Sequence, residues 1–178
     1  MRYNFLLLAL ICITCVGAGA FDYSTQYFQL SPVMDVSATD IRQPVPNFTF
    51  YDVQEKKPHQ IMDFKNKTVI IGFWSSWCRP CRREFRVLSD MAQTHPDKMV
   101  LVMMSEDNDE DHAMDLSRSF PRLHNVYVTW DQRRVMQNFF QVFRYPGSII
   151  IAPGGVAQRK IIGGISHDDE REIAAALH

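Results

Sequence analysis

The sequence predicts an α/β domain in which helices cover both faces of a central mixed β-sheet. Two apolar runs, residues 68–73 and 99–104, are typical of buried central strands, and a helical segment follows each of them. A third apolar run at 148–152 is followed by a turn and by residues 156–162, which predicts an antiparallel hairpin. A capping-box pattern then begins a final helix at residues 166–177. Strand–helix alternation that ends in a hairpin and a helix predicts a mixed sheet.

Shorter elements precede the first long strand. Residues 48–51 and 59–61 predict two short strands. The segment after strand 68–73 predicts a helix over residues 79–93, which Pro96 ends because a proline disfavours helical backbone in the residue before it. Three apolar side chains of this helix recur at the spacing of a buried face, namely Phe85, Leu88 and Ala92.

An acidic run at residues 106–111 follows the second long strand. We expect it to form a solvated loop and the first turn of a helix that ends before Pro121, because carboxylates are favourable near helix N-termini. The run lacks the glycine of an EF-hand loop, so it does not predict a calcium site. A short strand at 125–128 and a helix at 131–139 are expected next.

The N-terminus has the three parts of a secretory signal peptide. Arg2 supplies a positive charge, residues 5–16 form an apolar stretch, and residues 18–20 have the small-x-small pattern of a cleavage site. The apolar stretch is shorter than the roughly 20 residues of a membrane span. We therefore predict that residues 1–20 are a signal peptide, with an uncleaved membrane anchor as the alternative. The expected location is periplasmic or otherwise extracytoplasmic.

The rest of the chain divides into a short extension and one domain. Residues 21–43 are polar and end in a proline-containing stretch, which predicts an N-terminal extension or linker, and residues 44–178 predict the α/β domain. Without Arg2 the chain has 18 Lys and Arg side chains against 20 Asp and Glu side chains, a net charge of −2. This balance provides no basic surface for nucleic acid, so no nucleic-acid partner is expected.

The predicted mature chain keeps two of the four cysteines. Cys12 and Cys15 lie in the predicted signal peptide, whereas Cys78 and Cys81 form a Cys-x-x-Cys motif in the domain. Exported proteins that use cysteine for stability are rich in disulfides. A single pair three positions apart therefore indicates catalysis rather than cross-linking.

The Cys-x-x-Cys motif stands between a predicted strand and a predicted helix, which is the setting of redox-active cysteines. Strand 68–73 would deliver Cys78 to the helix N-terminus, where unpaired backbone N–H groups and the helix dipole lower the pKa of a thiol. Pro80 fits the first helical turn, where no backbone N–H is needed. Cys81 lies one turn further and can attack a mixed disulfide. We therefore expect Cys78 to be the attacking cysteine and Cys81 the resolving cysteine.

Other uses of a Cys-x-x-Cys motif fit the sequence less well. Half of a zinc site needs further ligands, but the other two cysteines lie in the signal peptide and the six histidines form no ligand pair. A c-type haem site needs a histidine after the second cysteine, where this chain has Arg82. An inert structural disulfide is the remaining alternative, although a helix N-terminus makes a pair reactive. No metal ligand and no cofactor are expected.

Four stretches of the domain carry a family resemblance: Val45-Pro46-Asn47-Phe48-Thr49-Phe50, Phe73-Trp74-x-x-Trp77-Cys78-x-Pro80-Cys81-Arg82-x-Glu84, Tyr145-Pro146, and the glycines Gly154 and Gly163-Gly164. In this order they resemble the thioredoxin superfamily and, within it, the exported TlpA/ResA-like thiol:disulfide oxidoreductases. The resemblance covers residues 44–178. It implies a thioredoxin-like fold, with a central mixed sheet flanked by helices on both faces.

The resemblance also implies a substrate-binding surface around the cysteines. Pro146 is expected in a cis peptide bond beside them, where a backbone edge pairs with the substrate chain; an ordinary trans proline is the alternative. Tyr145 is expected to contact the partner or to modulate the attacking cysteine. Trp77 is expected to be a partly exposed cap over the disulfide, and Arg79 to tune the reduction potential. Together with Pro80, these residues make up the expected substrate site.

Glu84 is a further candidate catalytic residue. It lies three residues after Cys81 on the same helical face, and a partly buried carboxylate there could take up the proton of the Cys81 thiol. An exposed helix glutamate is the alternative. Thioredoxins proper have a buried aspartate six residues before the first cysteine, where this chain has Gly72. Because this chain lacks that proton acceptor, Glu84 becomes the stronger candidate for the role.

Four arginines make the beginning of the same helix strongly basic: Arg79, Arg82, Arg83 and Arg86. Their charge would stabilise a Cys78 thiolate or attract an acidic partner surface. For Arg83 and Arg86 we expect a solvated helix face.

These observations predict an exported thiol:disulfide oxidoreductase that acts on protein thiols and disulfides. Its motif resembles reductases that serve cytochrome c maturation or rescue oxidised cysteines, which implies electrons from a membrane thiol reductase. A disulfide-forming oxidase or an isomerase is the alternative, because the direction depends on the reduction potential. A peroxiredoxin fits less well, since Ile71 and Ser75 stand where it needs proline and threonine. A copper- or haem-delivery chaperone with thiolates as soft ligands is a further alternative.

Overall fold

The computed structural model describes residues 40–119 and 122–178. The predicted signal peptide, residues 1–20, and most of the predicted extension lie outside this part of the chain. Among the described residues, no helix has the length and the apolar composition needed to cross a lipid bilayer.

The described residues form eight strands and four helices. The strands are β1 (Asp40–Pro44), β2 (Thr49–Asp52), β3 (Lys57–Gln60), β4 (Thr68–Trp74), β5 (Met99–Ser105), β6 (Val126–Trp130), β7 (Gly147–Ala152) and β8 (Val156–Ile162). The helices are α1 (Arg79–Thr94), α2 (Glu110–Ser117), α3 (Val135–Phe140) and α4 (His167–Ala176). Short 3₁₀ turns cover Ile61–Phe64 and Gln132–Arg134.

These strands form one sheet, in the order β1-β8-β7-β4-β5-β6-β2-β3. Strands β4, β5 and β6 are parallel, whereas β7 and β8 form an antiparallel hairpin beside β4. Strand β1 pairs antiparallel with β8, so the sheet begins at Asp40, ahead of the domain boundary expected at residue 44. Because the parallel strands run in one direction, they end at the same edge of the sheet, at Trp74, Ser105 and Trp130.

Helices pack on both faces of the sheet, as the sequence predicts. Side chains of β4 alternate between the faces: Ile70 packs with α1, α2 and α4, while Ile71 packs with α3 and the turn Ile61–Phe64. Trp74 meets Phe85 of α1 edge to face, with ring centroids 5.4 Å apart. Burial on both faces explains why β4 and β5 are continuous apolar runs.

The segment predicted as one helix at 131–139 is broken. It forms a 3₁₀ turn and then α3, because Arg133 and Arg134 have left-handed backbone with φ values of 65° and 55°. Neither residue is a glycine, so the sequence carries no signal for this conformation. The break places Asp131 ahead of α3, where its carboxylate accepts the Gln137 N–H at 2.8 Å.

Candidate active site

The loop after β4 carries Cys78 to the N-terminus of α1, as the sequence predicts. Cys78 is the N-cap residue, and its Sγ accepts a hydrogen bond from the Cys81 N–H at 3.3 Å. The two cysteines form a disulfide, with their Cα atoms 5.3 Å apart. Pro80 occupies the first turn, where it costs no helical hydrogen bond. The helix therefore presents a backbone donor and the positive end of its dipole to Cys78.

The predicted substrate-binding residues lie around this disulfide. Trp77 is 72% exposed, and its ring centroid lies 5.9 Å from that of Tyr145. The peptide bond between Tyr145 and Pro146 is cis, as the resemblance implies. Arg79 and Pro80 are exposed, whereas Tyr145 is half-buried and packs against the core cluster that contains both cysteines. The fold thus brings two distant parts of the chain together at the disulfide.

Glu84 is buried at 6% exposure, so the alternative of an exposed helix glutamate is wrong. Its Oε1 accepts a hydrogen bond from Ser148 Oγ at 2.7 Å, and its Oε2 accepts the Ile165 N–H at 3.0 Å. Burial raises the pKa of Glu84, although these two hydrogen bonds favour the carboxylate and offset part of the effect. A carboxyl group with a raised pKa is suited to proton transfer near neutral pH.

Gly164 allows the chain before α4 to close over Glu84. Its φ is +99°, a left-handed backbone conformation that favours glycine, and a Cβ atom there would lie 3.4 Å from Glu84 Oε2 and 3.5 Å from Pro146 Cγ. The preceding Gly163 donates its N–H to the Pro146 carbonyl at 2.9 Å. This glycine pair therefore holds the buried carboxyl group and the cis proline in one neighbourhood.

Gly72 leaves a space that Met103 of β5 fills. A Cβ atom at residue 72 would lie 2.8 Å from Met103 Sδ and 3.8 Å from a methyl group of Leu88. Gly72 also pairs across the sheet with Ser148, whose hydroxyl donates to Glu84. An aspartate has no room at residue 72 while Met103 keeps this position.

We expect Gly72→Asp to lower the free energy of unfolding by about 2–4 kcal/mol, because it displaces Met103 and buries a carboxylate in an apolar space. Met103→Ala alone should cost about 2–5 kcal/mol through the cavity that it leaves. The double variant should lose less than the sum of the two changes, since the cavity accepts the new side chain. Urea unfolding of the three variants measures this coupling. Additive losses would show that Met103 does not fill the space at Gly72.

The loop after β5 is buried at its beginning, where the sequence predicts a solvated loop. Glu106 and Asp107 are 2% and 8% exposed, whereas residues 108–111 are exposed. The Glu106 N–H donates to the Trp74 carbonyl at 2.8 Å and so draws the loop against the end of the neighbouring strand. The prediction is therefore wrong for the first two residues of the acidic run.

Asp107 holds the loop that precedes Cys78. Its carboxylate accepts hydrogen bonds from Ser75 Oγ at 2.6 Å, the Ser76 N–H at 2.9 Å and Ser105 Oγ at 2.8 Å. The Ser75 carbonyl in turn accepts the Cys78 N–H at 2.9 Å. Burial opposes ionisation, but the serine hydrogen bonds lower the pKa of Asp107 below its usual value. Sequence reasoning missed this anchor, although serines at the ends of two neighbouring strands are a signal for it.

Glu106 and Asp131 form a pair of buried carboxyl groups near Tyr145. Within the described residues neither Glu106 oxygen accepts a hydrogen bond, and burial and the Asp131 charge raise the pKa of Glu106 to about 10. Burial also raises the pKa of Asp131, but its carboxylate accepts the Gln137 N–H. The raised pKa therefore keeps the Glu106 carboxyl group protonated at neutral pH. The Tyr145 hydroxyl donates to Gln137 Oε1 at 2.6 Å, and burial and Glu106 raise the pKa of Tyr145 to about 12.

We expect the free energy of unfolding to fall as the pH rises toward about 10, because the folded chain binds the Glu106 proton more tightly than the unfolded chain. The contribution of the Glu106 proton to the free energy of unfolding is fully present below pH 4.5, the ordinary pKa of the group. It is lost as the pH rises through the raised pKa of the folded chain. Glu106→Gln should flatten this slope in urea unfolding measured between about pH 6 and about pH 10. Glu110→Gln, on the exposed start of α2, is the matched control, and an equal slope in both variants would contradict the assignment.

Metal-binding groups are sparse around the site. In the ranges that the structure covers, no three His, Cys, Asp or Glu side chains are grouped so that they could hold a metal ion. The two sulfur atoms of the site are bonded to each other.

Known proteins match this chain over the part that contains the site. The family model described as Thioredoxin-like matches residues 66–156, a stretch that contains both cysteines and the cis proline. A thiol-disulfide oxidoreductase ResA of Bacillus cereus (strain ATCC 10987 / NRS 248) is 26% identical over 166 residues, covering 92% of this chain and 91% of the relative. ResA of Geobacillus thermodenitrificans (strain NG80-2) is 24% identical and covers 76% of this chain and 77% of the relative.

Solved structures share the fold. The crystal structure of a thiol:disulfide interchange protein of the thioredoxin family from Chlorobium tepidum TLS has a TM-score of 0.63 at 21% identity, covering 79% of this chain and all of that one. StoA from Bacillus subtilis has a TM-score of 0.60 at 18% identity, covering 77% of this chain and 99% of that one.

Proposed function

Because this chain belongs to the thioredoxin-like family, whose model spans Cys78 and Cys81, we propose that these cysteines exchange disulfides with other proteins. The predicted thioredoxin-like fold and the resemblance to TlpA/ResA-like members of the superfamily are confirmed, and the chain is a thiol–disulfide oxidoreductase. One observation carries the role of Cys78: it is the N-cap of α1, and its Sγ accepts the Cys81 N–H. A thiolate at this place would be stabilised by the same donor and by the helix dipole.

In the reductive direction the reaction starts from the dithiol. The Cys78 thiolate attacks one sulfur of the substrate disulfide, and the other substrate sulfur leaves as a thiolate that takes up a proton. Cys81 loses its proton, attacks the Cys78 sulfur of the mixed disulfide and releases the second substrate thiol. Two electrons thereby pass from the dithiol to the substrate, and the Cys78–Cys81 disulfide of this structure is the oxidised product.

Glu84 is proposed as the proton acceptor for Cys81. The two residues are separated by one turn of α1, a spacing that places Cβ atoms about 5–6 Å apart. The raised pKa of the buried Glu84 makes its carboxylate a stronger base than that of an exposed glutamate. The hydrogen bonds from Ser148 and Ile165 fix its orientation.

The surface around the disulfide suits a polypeptide substrate. Trp77 offers an exposed aromatic face, and Tyr145 and the cis Pro146 lie beside it. Arg79 and Pro80 are exposed at the start of α1. We assign substrate contact to these five residues, because three of them flank Cys78 in the chain and Tyr145, which precedes Pro146, packs against the cluster that contains both cysteines.

The proposal further includes an extracytoplasmic location and the reductive direction. The signal peptide predicted at residues 1–20 supports export, with a membrane tether through an uncleaved signal as the alternative. Electrons would come from a membrane thiol reductase, and the substrates would be oxidised proteins such as those of cytochrome c maturation or cysteine rescue. The cysteines carry the electrons themselves, so the reaction needs no bound cofactor.

The reduction potential of the Cys78–Cys81 pair tests the direction. The full chain is equilibrated with dithiol buffers and alkylated, and the mass of the peptide that contains both residues reports the reduced fraction independently of Cys12 and Cys15. We expect a value near that of thioredoxin, about −270 mV. A value near about −120 mV would instead indicate a disulfide-forming oxidase. A pair that does not exchange with the buffer at all would overturn the proposed activity itself.

A further inference from the structure

The exposed surface of α1 carries a continuous row of positive charge that starts at the disulfide. The residues of this arginine face are all exposed and follow one another at the i, i+3, i+4 and i+7 spacing of a single helix face: Arg79, Arg82, Arg83 and Arg86. Trp77, at 72% exposure, stands at the end of the face nearest to Cys78.

Helix stability does not account for the arginine face. Positive charges are unfavourable near a helix N-terminus, and like charges three or four residues apart repel each other. Helices α2 and α4 have the opposite arrangement, since both begin with carboxylates and α4 pairs Arg171 with Asp168. Helix α1 has no acidic residue in its first turn, and within the described ranges none of its four arginines forms an ion pair.

Stabilisation of the Cys78 thiolate accounts for only the near end of the face. A helix rises about 1.5 Å per residue, which places the Cα of Arg83 about 7.5 Å and that of Arg86 about 12 Å along the axis from Cys78. The Debye length is about 8 Å at physiological ionic strength, so the exposed charge of Arg83 acts on the thiolate in weakened form and that of Arg86, which lies beyond this length, is largely screened. We therefore infer that the far half of the face, Arg83 and Arg86, has a role other than stabilising the thiolate.

The side chains of the far half also border an open groove on the surface of α1. Arg82, Arg83 and Arg86 line a depression of about 330 Å³ together with Val87 and Asp90. Val87 supplies an apolar floor, since it is half-buried, and Asp90 is the single acidic residue of this lining. A segment that lies over Cys78 and continues along α1 would enter this groove.

We propose that the arginine face docks an acidic segment of the polypeptide whose disulfide Cys78 attacks. The proposal rests on the proposed function and names its class of substrate: proteins with carboxylates close to the reactive disulfide. A polypeptide fits better than a lipid surface, because the face is continuous with the exposed Trp77 and with the sulfur that a substrate must reach. The chain as a whole has a net charge of −1, so the attraction comes from this face and not from the whole molecule.

Two peptides test the proposal. Each contains one internal disulfide, and the flanking residues are glutamates in one peptide and glutamines in the other. The full chain is reduced, freed of reductant and mixed with either peptide, and acid quenching gives the second-order rate constant of peptide reduction. At low salt we expect the acidic peptide to react about tenfold faster, and the difference to shrink as salt is added.

Charge-reversal variants test whether the arginine face causes the preference for the acidic peptide. Arg83→Glu combined with Arg86→Glu should abolish the preference for the acidic peptide and leave reduction of the neutral peptide unchanged. The matched control, Arg118→Glu with Arg171→Glu, changes the net charge equally, just after α2 and on α4, and should keep the preference. Equal rates for both peptides in the unmodified chain, or an equal loss in the control, would overturn the proposal.

A binding measurement separates docking from catalysis. An acidic peptide with serines in place of its cysteines should bind the unmodified chain and not the Arg83/Arg86 variant, as followed by fluorescence anisotropy. Binding without reduction of either peptide would mean that the proposed function fails while docking stands. Sedimentation with phosphatidylserine vesicles that depends on Arg83 and Arg86, without any preference between the peptides, would assign the face to a membrane and overturn the proposal.

Discussion

Replacing Cys78 with alanine is expected to lower the rate of disulfide exchange at least about a thousandfold, because it removes the attacking sulfur. Replacing Cys81 with alanine should instead leave the first step intact and trap the substrate on Cys78 as a mixed disulfide. Reduction of insulin in the presence of a dithiol measures turnover, and non-reducing gels show the trapped species. The two variants therefore differ in what accumulates and not only in rate.

The assignment of the two roles rests on the helix terminus and not on exposure. Both cysteines are buried in the oxidised state, at 3% and 1% exposure. Cys78 is the N-cap of α1, and Cys81 lies within the helix. Trapping by Cys78→Ala would show that the roles are exchanged, and full turnover without trapping in Cys81→Ala would remove the resolving role. Alanine at both Cys12 and Cys15 is the control, since these residues lie in the predicted signal peptide.

The elements around the cysteines could be predicted because their signals are local. The apolar run of β4, the helix start at the Cys-x-x-Cys motif and the hairpin strand Val156–Ile162 all appear in the structure where the sequence places them. The final helix begins after Ser166, whose Oγ accepts the Asp169 N–H as its capping-box pattern predicts. Each of these signals acts between residues that are close together in the chain.

The buried acidic groups could not be predicted, because their burial depends on contacts between distant strands. Glu106 and Asp107 follow a buried strand and precede an exposed helix turn, so the sequence pattern favours solvent. Their burial arises where the ends of β4, β5 and β6 converge, and Ser75 lies 32 residues from the carboxylate that it contacts. The left-handed backbone of Arg133 and Arg134 also lacks a local signal.

The position of Glu84 could be predicted from the sequence, but its environment could not. Its position on the helix face of Cys81 follows from spacing alone. Its hydrogen-bond partners Ser148 and Ile165 are 64 and 81 residues away, so neither its burial nor the direction of its pKa shift follows from the motif. The structure therefore adds the environment that makes a proton-transfer role chemically reasonable.

Glu84→Gln is expected to slow release of the substrate from the mixed disulfide about 100-fold at neutral pH. The amide has the shape of the carboxyl group, so its oxygen can accept the Ile165 N–H while its NH₂ group donates to Ser148 Oγ. It cannot take the proton of Cys81. Rapid acid quenching and separation of the mixed disulfide give the rate of this step directly.

The pH dependence distinguishes proton transfer from a structural role. In the unmodified chain the release rate should rise with pH until Glu84 is ionised, at a pKa above its ordinary value, and Glu84→Gln should lack this inflection. Folding stability changes in the opposite sense. Because the pKa of Glu84 is raised in the folded chain, its contribution to the free energy of unfolding is fully present below pH 4.5, the ordinary pKa, and is lost as the pH rises through the raised pKa. At the higher pH, the glutamine variant should therefore gain stability relative to the unmodified chain.

Ser148→Ala is the matched variant for this step, since it keeps the carboxyl group and removes one of its hydrogen bonds. The Ser148 hydroxyl lowers the pKa of Glu84, so its loss should move the inflection of the release rate to higher pH without abolishing it. A purely structural Glu84 would give the same pH profile in all three proteins. A slow Glu84→Gln variant that keeps the inflection would place the proton of Cys81 on another group, and the buried carboxyl of Glu84 would then act only through packing.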